Sequence, residues 1–187
     1  LQREDMDKVA DFILKDLDEA AALLPIEYSD PNDFGRVTKG AALALKSRVL
    51  LYKASPLFGT PSTEKWQAAA NAAKAVFDLN KYYLKTVNNS EEYGALFYDV
   101  KNPEVIFEKL FDPKYGSGDN NSFLYQAPCG IGNGFQGWGN FNPTQNLVDK
   151  FQMADGTTSE KKTHYDYYPW NGREIRFYAA FLLDGDE

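Results

Sequence analysis

A single cysteine, Cys129, and a single histidine, His164, occur in 187 residues. One thiol cannot close an internal disulfide, and one imidazole with one thiol leaves little for a zinc or copper site. Cys129 lies between Pro128 and Gly130, with no adjacent base or cation to activate it, so it reads as a structural or incidental thiol. His164 stands near Lys161 and Lys162 and reads as a surface residue. No run of 18 or more apolar residues is present, so no membrane-crossing helix is expected, and the first residues lack the charged-then-apolar layout of a leader. No initiator Met is present and the sequence stops just after an apolar stretch, which reads as a middle portion of a longer protein. Positive charge is also scarce. Twenty Lys and Arg are scattered among 27 Asp and Glu, giving a net charge of -7, so phosphate-rich partners are disfavoured and nucleic acid is not expected.

What is present is core material: 43% of the residues are hydrophobic and 15% aromatic. Val9, Phe12, Ile13, Leu17, Ala20 and Leu24 recur at intervals of three and four, which predicts an amphipathic helix ended by Pro25. A loop follows, then a second helix over residues 37–54 with Thr38 as its cap and Ala41, Leu45, Val49 and Tyr52 on one side. Its alanines invite close neighbours, while Leu43, Leu50 and Leu51 occupy other faces. This helix should therefore be covered on more than one side. Thr63 begins a third helix carrying Trp66, Ala69, Ala70, Ala73, Val76 and Phe77, with Trp66 expected in the core. The second and third helices would form a hairpin like one unit of a tetratricopeptide array, although no second copy of a 34-residue consensus is found.

Downstream the pattern is more broken. Residues 81–84 read as a short strand or extended exit, 91–99 as a short helix, and 104–108 as a strand. Residues 112–142 are rich in Gly, Asn and aromatics without sustained periodicity, too long for a simple connector. A short helix is predicted over 142–151, then a loop over 155–172, then an apolar element over 175–183 that is either helix or strand.

Several segments in order resemble the SusD/RagB family of outer-membrane glycan-binding lipoproteins. They are residues 35–52, opening on Gly35, Arg36, Val37, Thr38, Lys39 and Gly40; residues 54–58; residues 66–70; residues 102–107; residues 143–151 with Asp155 and Gly156; and residues 173–179. Glu174 departs from the Asp-Pro that such proteins commonly carry before Arg-Phe. The resemblance implies a mainly α fold, a tetratricopeptide-like helical hairpin scaffold with long irregular loops and a few short strands. It covers residues 1–187 as one domain, with 1–111 the helical scaffold and 112–187 the loop-rich, ligand-facing part. It further implies no enzyme activity, no cofactor, an extracellular position on the outer membrane through a lipidated cysteine that this chain lacks, and a SusC-like TonB-dependent transporter as partner.

A sugar ring has apolar C–H faces and polar edges, so its site needs aromatic platforms flanked by amides or charged groups. The 112–142 loop supplies Tyr125, Phe135 and Trp138 beside Asn133 and Asn140, with Gly137 and Gly139 around the indole. A second strip offers Tyr167 and Trp170. The alternative is that these aromatics form the loop's own small core. Calcium near Asp112, Asp119 and Asn120 is a generic turn pattern, and no metal is assigned. Two other functions share the scaffold. A glycoside hydrolase would need two carboxylates across the scissile bond, for which Glu104 with Glu108, or Asp149 with Asp155, are the available pairs, without a recognisable catalytic loop. A peptide-binding helical scaffold would not require the aromatic loop. The expected ligand is an oligosaccharide or polysaccharide.

Overall fold

The computed structural model describes residues 3–110, 142–158, 170–181 and 183. The chain divides into two compact units, Leu1–Lys85 with Val100–Leu110, and Thr86–Asp99 with Phe111–Glu187.

The first unit is built on three helices. Helix α1, Met6–Leu23, starts where the Asp5 carboxylate accepts from the Asp7 amide, and Pro25 prevents its extension. After a 3₁₀ turn at Pro31–Asp33, helix α2 spans Lys39–Ala54. Thr38 occupies its N-cap position, but its side chain makes no cap hydrogen bond. Instead the Lys39 amide donates to the Pro25 carbonyl at 2.9 Å, tying the start of α2 to the end of α1. Helix α3, Thr63–Phe77, is capped by Ser62, whose hydroxyl oxygen accepts from the Lys65 amide.

Helix α2 packs against both α1 and α3, as its apolar residues on several faces require. The contacts fall on small side chains: Ala21, Ala42, Ala54, Ala69 and Ala72 are buried. Small residues let helix backbones approach closely, so the seam follows them rather than the larger leucines. Two expectations are corrected by this. Leu45 and Tyr52 remain about half exposed, at 48% and 55%, and Trp66, expected in the core, is 43% exposed.

Beyond α3, Asn80 takes a left-handed conformation, φ 50°, and residues 81–85 run extended. The Tyr83 amide donates to the Pro103 carbonyl at 3.3 Å, and the Lys85 amide to Glu104 Oε1 at 2.8 Å. The strand expected over 104–108 does not form. One of its two cross-chain bonds goes to a side chain, and Val105 turns back on the Asn102 carbonyl, so no ladder develops.

In the second unit, helix α4 spans Ser90–Ala95, shorter than predicted. Asn89 Oδ1 accepts from the Glu92 amide, while Glu92 reaches back to the Asn88 amide, a reciprocal cap of the helix start. Helix α5 is the single turn Gln145–Val148, capped by Thr144, and helix α6 is Ile175–Ala180. The last apolar element is thus helical, with Phe177 buried against Phe151 and Phe181 at ring distances of 5.9 and 5.1 Å. Helices α4 and α6 pack together. The only bridge among the described residues pairs Met153 with Arg173.

Candidate ligand-binding site

Of the residues expected to bind ligand, Tyr125, Asn133, Phe135, Trp138, Asn140 and Tyr167 lie outside the described residues. Trp170 is described. It is half-buried, and its carbonyl accepts from the Tyr178 hydroxyl at 2.8 Å. This ties the 170 turn to α6.

That turn is well anchored. The Arg173 side chain is buried, donates through Nη1 to the Phe151 carbonyl at 2.8 Å, and lies 5.4 Å from the Phe177 ring centre. Glu174, the departure from the family pattern, accepts from the Gln152 amide through Oε1 at 3.0 Å and holds Arg176 through Oε2. Its carboxylate thus fastens α6 to residues 151–153 rather than capping the helix. On its far side Gly172, φ 74°, takes the left-handed turn that a glycine adopts without strain.

A cavity that sequence reasoning missed lies within the first unit. It encloses about 580 Å³, within the range of small-ligand sites. Three separate stretches build it: the α1–α2 loop, the exit from α3, and residues 100–108. The loop is drawn in by several bonds. The Tyr28 hydroxyl donates to the Val37 carbonyl at 3.1 Å, Arg36 pairs with Asp33 at 2.8 Å, and the guanidinium lies 5.1 Å from the Tyr28 ring centre. The hydrogen bond with Asp33 holds the Arg36 pKa above its ordinary value. Lys81 pairs with Glu27 at 2.6 Å, and the Lys101 ammonium lies 5.2 Å from the Phe34 ring centre. Gly35 is the hinge: its φ is 89°, and an added Cβ would lie 2.7 Å from Leu110 Cδ1.

Chemically the lining combines aromatic surface with mostly satisfied charge. Buried Asn102 accepts from the Glu104 amide at 2.8 Å, and Glu104 itself holds the Lys85 amide. Glu108 differs, since its Oε1 is closed off from water without a hydrogen-bond partner. No signal marked this cavity in the sequence, because each of its three stretches reads alone as loop or strand. Among the described residues no group of three or more His, Cys, Asp or Glu could hold a metal, and no helix is long and apolar enough to cross a membrane.

The sequence profile of the SusD family matches residues 103–187. Among solved structures, a SusD-like protein from Bacteroides fragilis is 31% identical, covering 92% of this chain and 34% of its own, with a TM-score of 0.71. A second, BT4246, is 22% identical over 88% of this chain and 36% of its own, with a TM-score of 0.64, and shows the likeness of fold. No curated protein matches. The chain spans about a third of the length of these two structures. Its class is that of the SusD-like helical scaffolds of tetratricopeptide type. The chain belongs to the SusD/RagB family.

Proposed function

We propose that the chain is part of a non-catalytic cell-surface protein that captures oligosaccharide and delivers it to a SusC-like TonB-dependent transporter in the outer membrane. The observation that carries this reading is the 31% identical match to a SusD-like protein over nearly the whole chain, joined to the family profile over residues 103–187. On this reading the full-length protein is held at the extracellular face by a lipid anchor. The sugar stacks on Trp138, Tyr125 and Phe135, with Asn133 and Asn140 setting its orientation and Trp170 and Tyr167 as a second contact strip.

The absence of catalysis in this reading is supported by one member of each acidic pair. Glu104 is taken up by the Lys85 amide, and Asp155 by the amide and hydroxyl of Thr157. That hydroxyl and amide also hold Asp155 below the usual carboxylate range, the opposite of what a general acid needs.

Calorimetric titration against plant, microbial and host oligosaccharides, with product analysis after long incubation, tests the reading. We predict saturable binding without cleavage, and a loss of about tenfold or more on Trp138→Ala, the range for removing a stacking platform. Cleavage products would overturn the non-catalytic reading. An unchanged affinity in the variant would remove Trp138 from the site.

A further inference from the structure

Asn171 precedes Gly172 in an exposed turn, and neither the Asn171 side chain nor the Gly172 amide makes a hydrogen bond among the described residues. An asparagine so placed sets an electrophile beside a nucleophile in one chain. The side-chain Cγ is the electrophile, the next amide nitrogen is the nucleophile, and joining them closes a five-membered ring. Glycine has no side chain to crowd that ring, and a free amide has no bond to break first. Every other described asparagine is followed by a residue other than glycine. Asn102 and Asn142 precede prolines, which carry no amide proton. The amide after Asn32, that of Asp33, donates to the Asp30 carbonyl at 3.0 Å, and the one after Asn71 lies within α3. Asp155 with Gly156 has the same spacing but is shut off. The Gly156 amide donates to the Met153 carbonyl at 2.9 Å, and the Asp155 carboxylate accepts from the amide and hydroxyl of Thr157. These bonds keep Asp155 ionised to lower pH, and a carboxylate anion is a poor electrophile.

We propose that Asn171 is a site of spontaneous deamidation and isomerisation, with Gly172 as the internal nucleophile and water as the co-reactant. The Gly172 amide loses its proton to hydroxide, and its nitrogen bonds to Asn171 Cγ. The bond from Cγ to the side-chain nitrogen breaks, and that nitrogen leaves as ammonia, taking a proton from water. A second water opens the ring. Breaking the new Cγ–N bond gives aspartate, whereas breaking the bond to the main-chain carbonyl carbon gives isoaspartate, whose main chain runs through Cγ and is one methylene longer. Both products carry a negative charge that Asn171 lacks. The extra methylene falls where the turn is fastened, since the Gly172 carbonyl accepts from the Ala154 amide at 2.8 Å and buried Arg173 donates to the Phe151 carbonyl. Conversion therefore loosens the turn that carries Trp170.

Trypsin isolates the site, because residues 163–173 form one peptide in which Asn171 is the only amide side chain, while Asn133 with Gly134, outside the described residues, falls in another. The test is incubation of the 187-residue chain, its Asn171→Gln variant and the free 163–173 peptide in mildly acidic and mildly alkaline buffer, sampled by digestion and mass spectrometry. We expect two products of equal mass from the parent, each heavier by the exchange of NH2 for OH, one of them a substrate for an isoaspartyl methyltransferase. Their formation should quicken about tenfold per pH unit, as the population of the amide anion does. Asn171→Gln, which would have to close a six-membered ring, should stay unconverted and, being exposed, should melt with the parent. The folded chain should convert within about tenfold of the rate of the free peptide. A chain slower than that would face an added barrier of more than about 1.4 kcal/mol from the turn, and this would overturn the proposal, as would the survival of Asn171 in both. Deuterium exchange at the Ala154 amide should speed up in the isoaspartate form, and unchanged protection there would overturn the loosening of the turn.

Discussion

Gly40 sits in the first turn of α2, and an added Cβ there would lie 2.1 Å from the Tyr82 hydroxyl oxygen and 2.7 Å from the ring. In an isolated helix, replacing glycine by alanine is favourable by up to about 1 kcal/mol. Here the sign reverses, because the tyrosine that walls the cavity occupies the space. We predict that Gly40→Ala lowers stability by about 1–3 kcal/mol, the usual cost of overpacking, as measured by urea unfolding. Adding Tyr82→Ala to the same chain should make the Gly40→Ala change tolerable again. Additive losses in the double variant would show that the two residues do not collide. The Tyr82 hydroxyl also lies 3.5 Å from Thr38 Oγ1, which explains why Thr38, a good cap by type, does not cap.

At the scale of elements, α1 and α2 are held in register by charge across their seam. Lys46 pairs with Asp18, and Lys53 with Asp11 and, at 3.7 Å, Asp7. The Asp11 hydrogen bond raises the Lys53 pKa, the Asp11 and Asp7 charges add to it, and partial burial opposes them. A raised folded-state pKa means that the contribution is fully present below the unfolded lysine value of about 10.4 and is lost as the pH rises through the folded value. We predict that Lys53→Met costs at most about 1 kcal/mol at neutral pH and low salt. The difference from the parent should shrink in high salt and vanish in strong alkali, as followed by thermal melts. A difference that persists in both conditions would point to packing of the lysine stem instead.

These elements were legible in proportion to how local their causes are. Periodicity and Pro25 lie within or beside the helices they define, and α1, α2 and α3 fall close to where the pattern puts them. What depends on distant partners was not legible. Residues 104–108 have the composition of a strand, yet the 81–85 stretch opposite offers only one backbone bond and one bond to a side chain. Likewise the cavity needs the Gly35 turn to bring the 26–38 loop against Leu110, a contact no spacing announces. The apolar face of α2 was misjudged for a related reason. Its period marks which residues share a side, but the alanines decide which side the neighbours take.

Over the whole molecule, large apolar side chains are conspicuously uncovered. Among the described residues Leu23, Leu57, Phe77, Leu84, Phe97 and Tyr98 are between 75% and 88% exposed, whereas the buried set is mainly alanine. Single exposed apolar residues are ordinary, but this many in a chain of 187 residues favours association. We predict that the chain by itself binds an apolar fluorescent dye while retaining its helical dichroism, and that its sedimentation coefficient rises with concentration over the micromolar range. A concentration-independent monomer without dye binding would mean that these side chains find cover in solution.

The first unit is assembled from two stretches of chain, residues 1–85 and 100–110, with residues 86–99 belonging elsewhere. During synthesis the three helices therefore emerge before Pro103 and Glu104, which receive the Tyr83 and Lys85 amides. At ribosomal speeds of roughly 5–20 residues per second, the nascent helices wait on the order of seconds with one wall of their cavity not yet made. Until then the Tyr83 and Lys85 amides have only water to donate to.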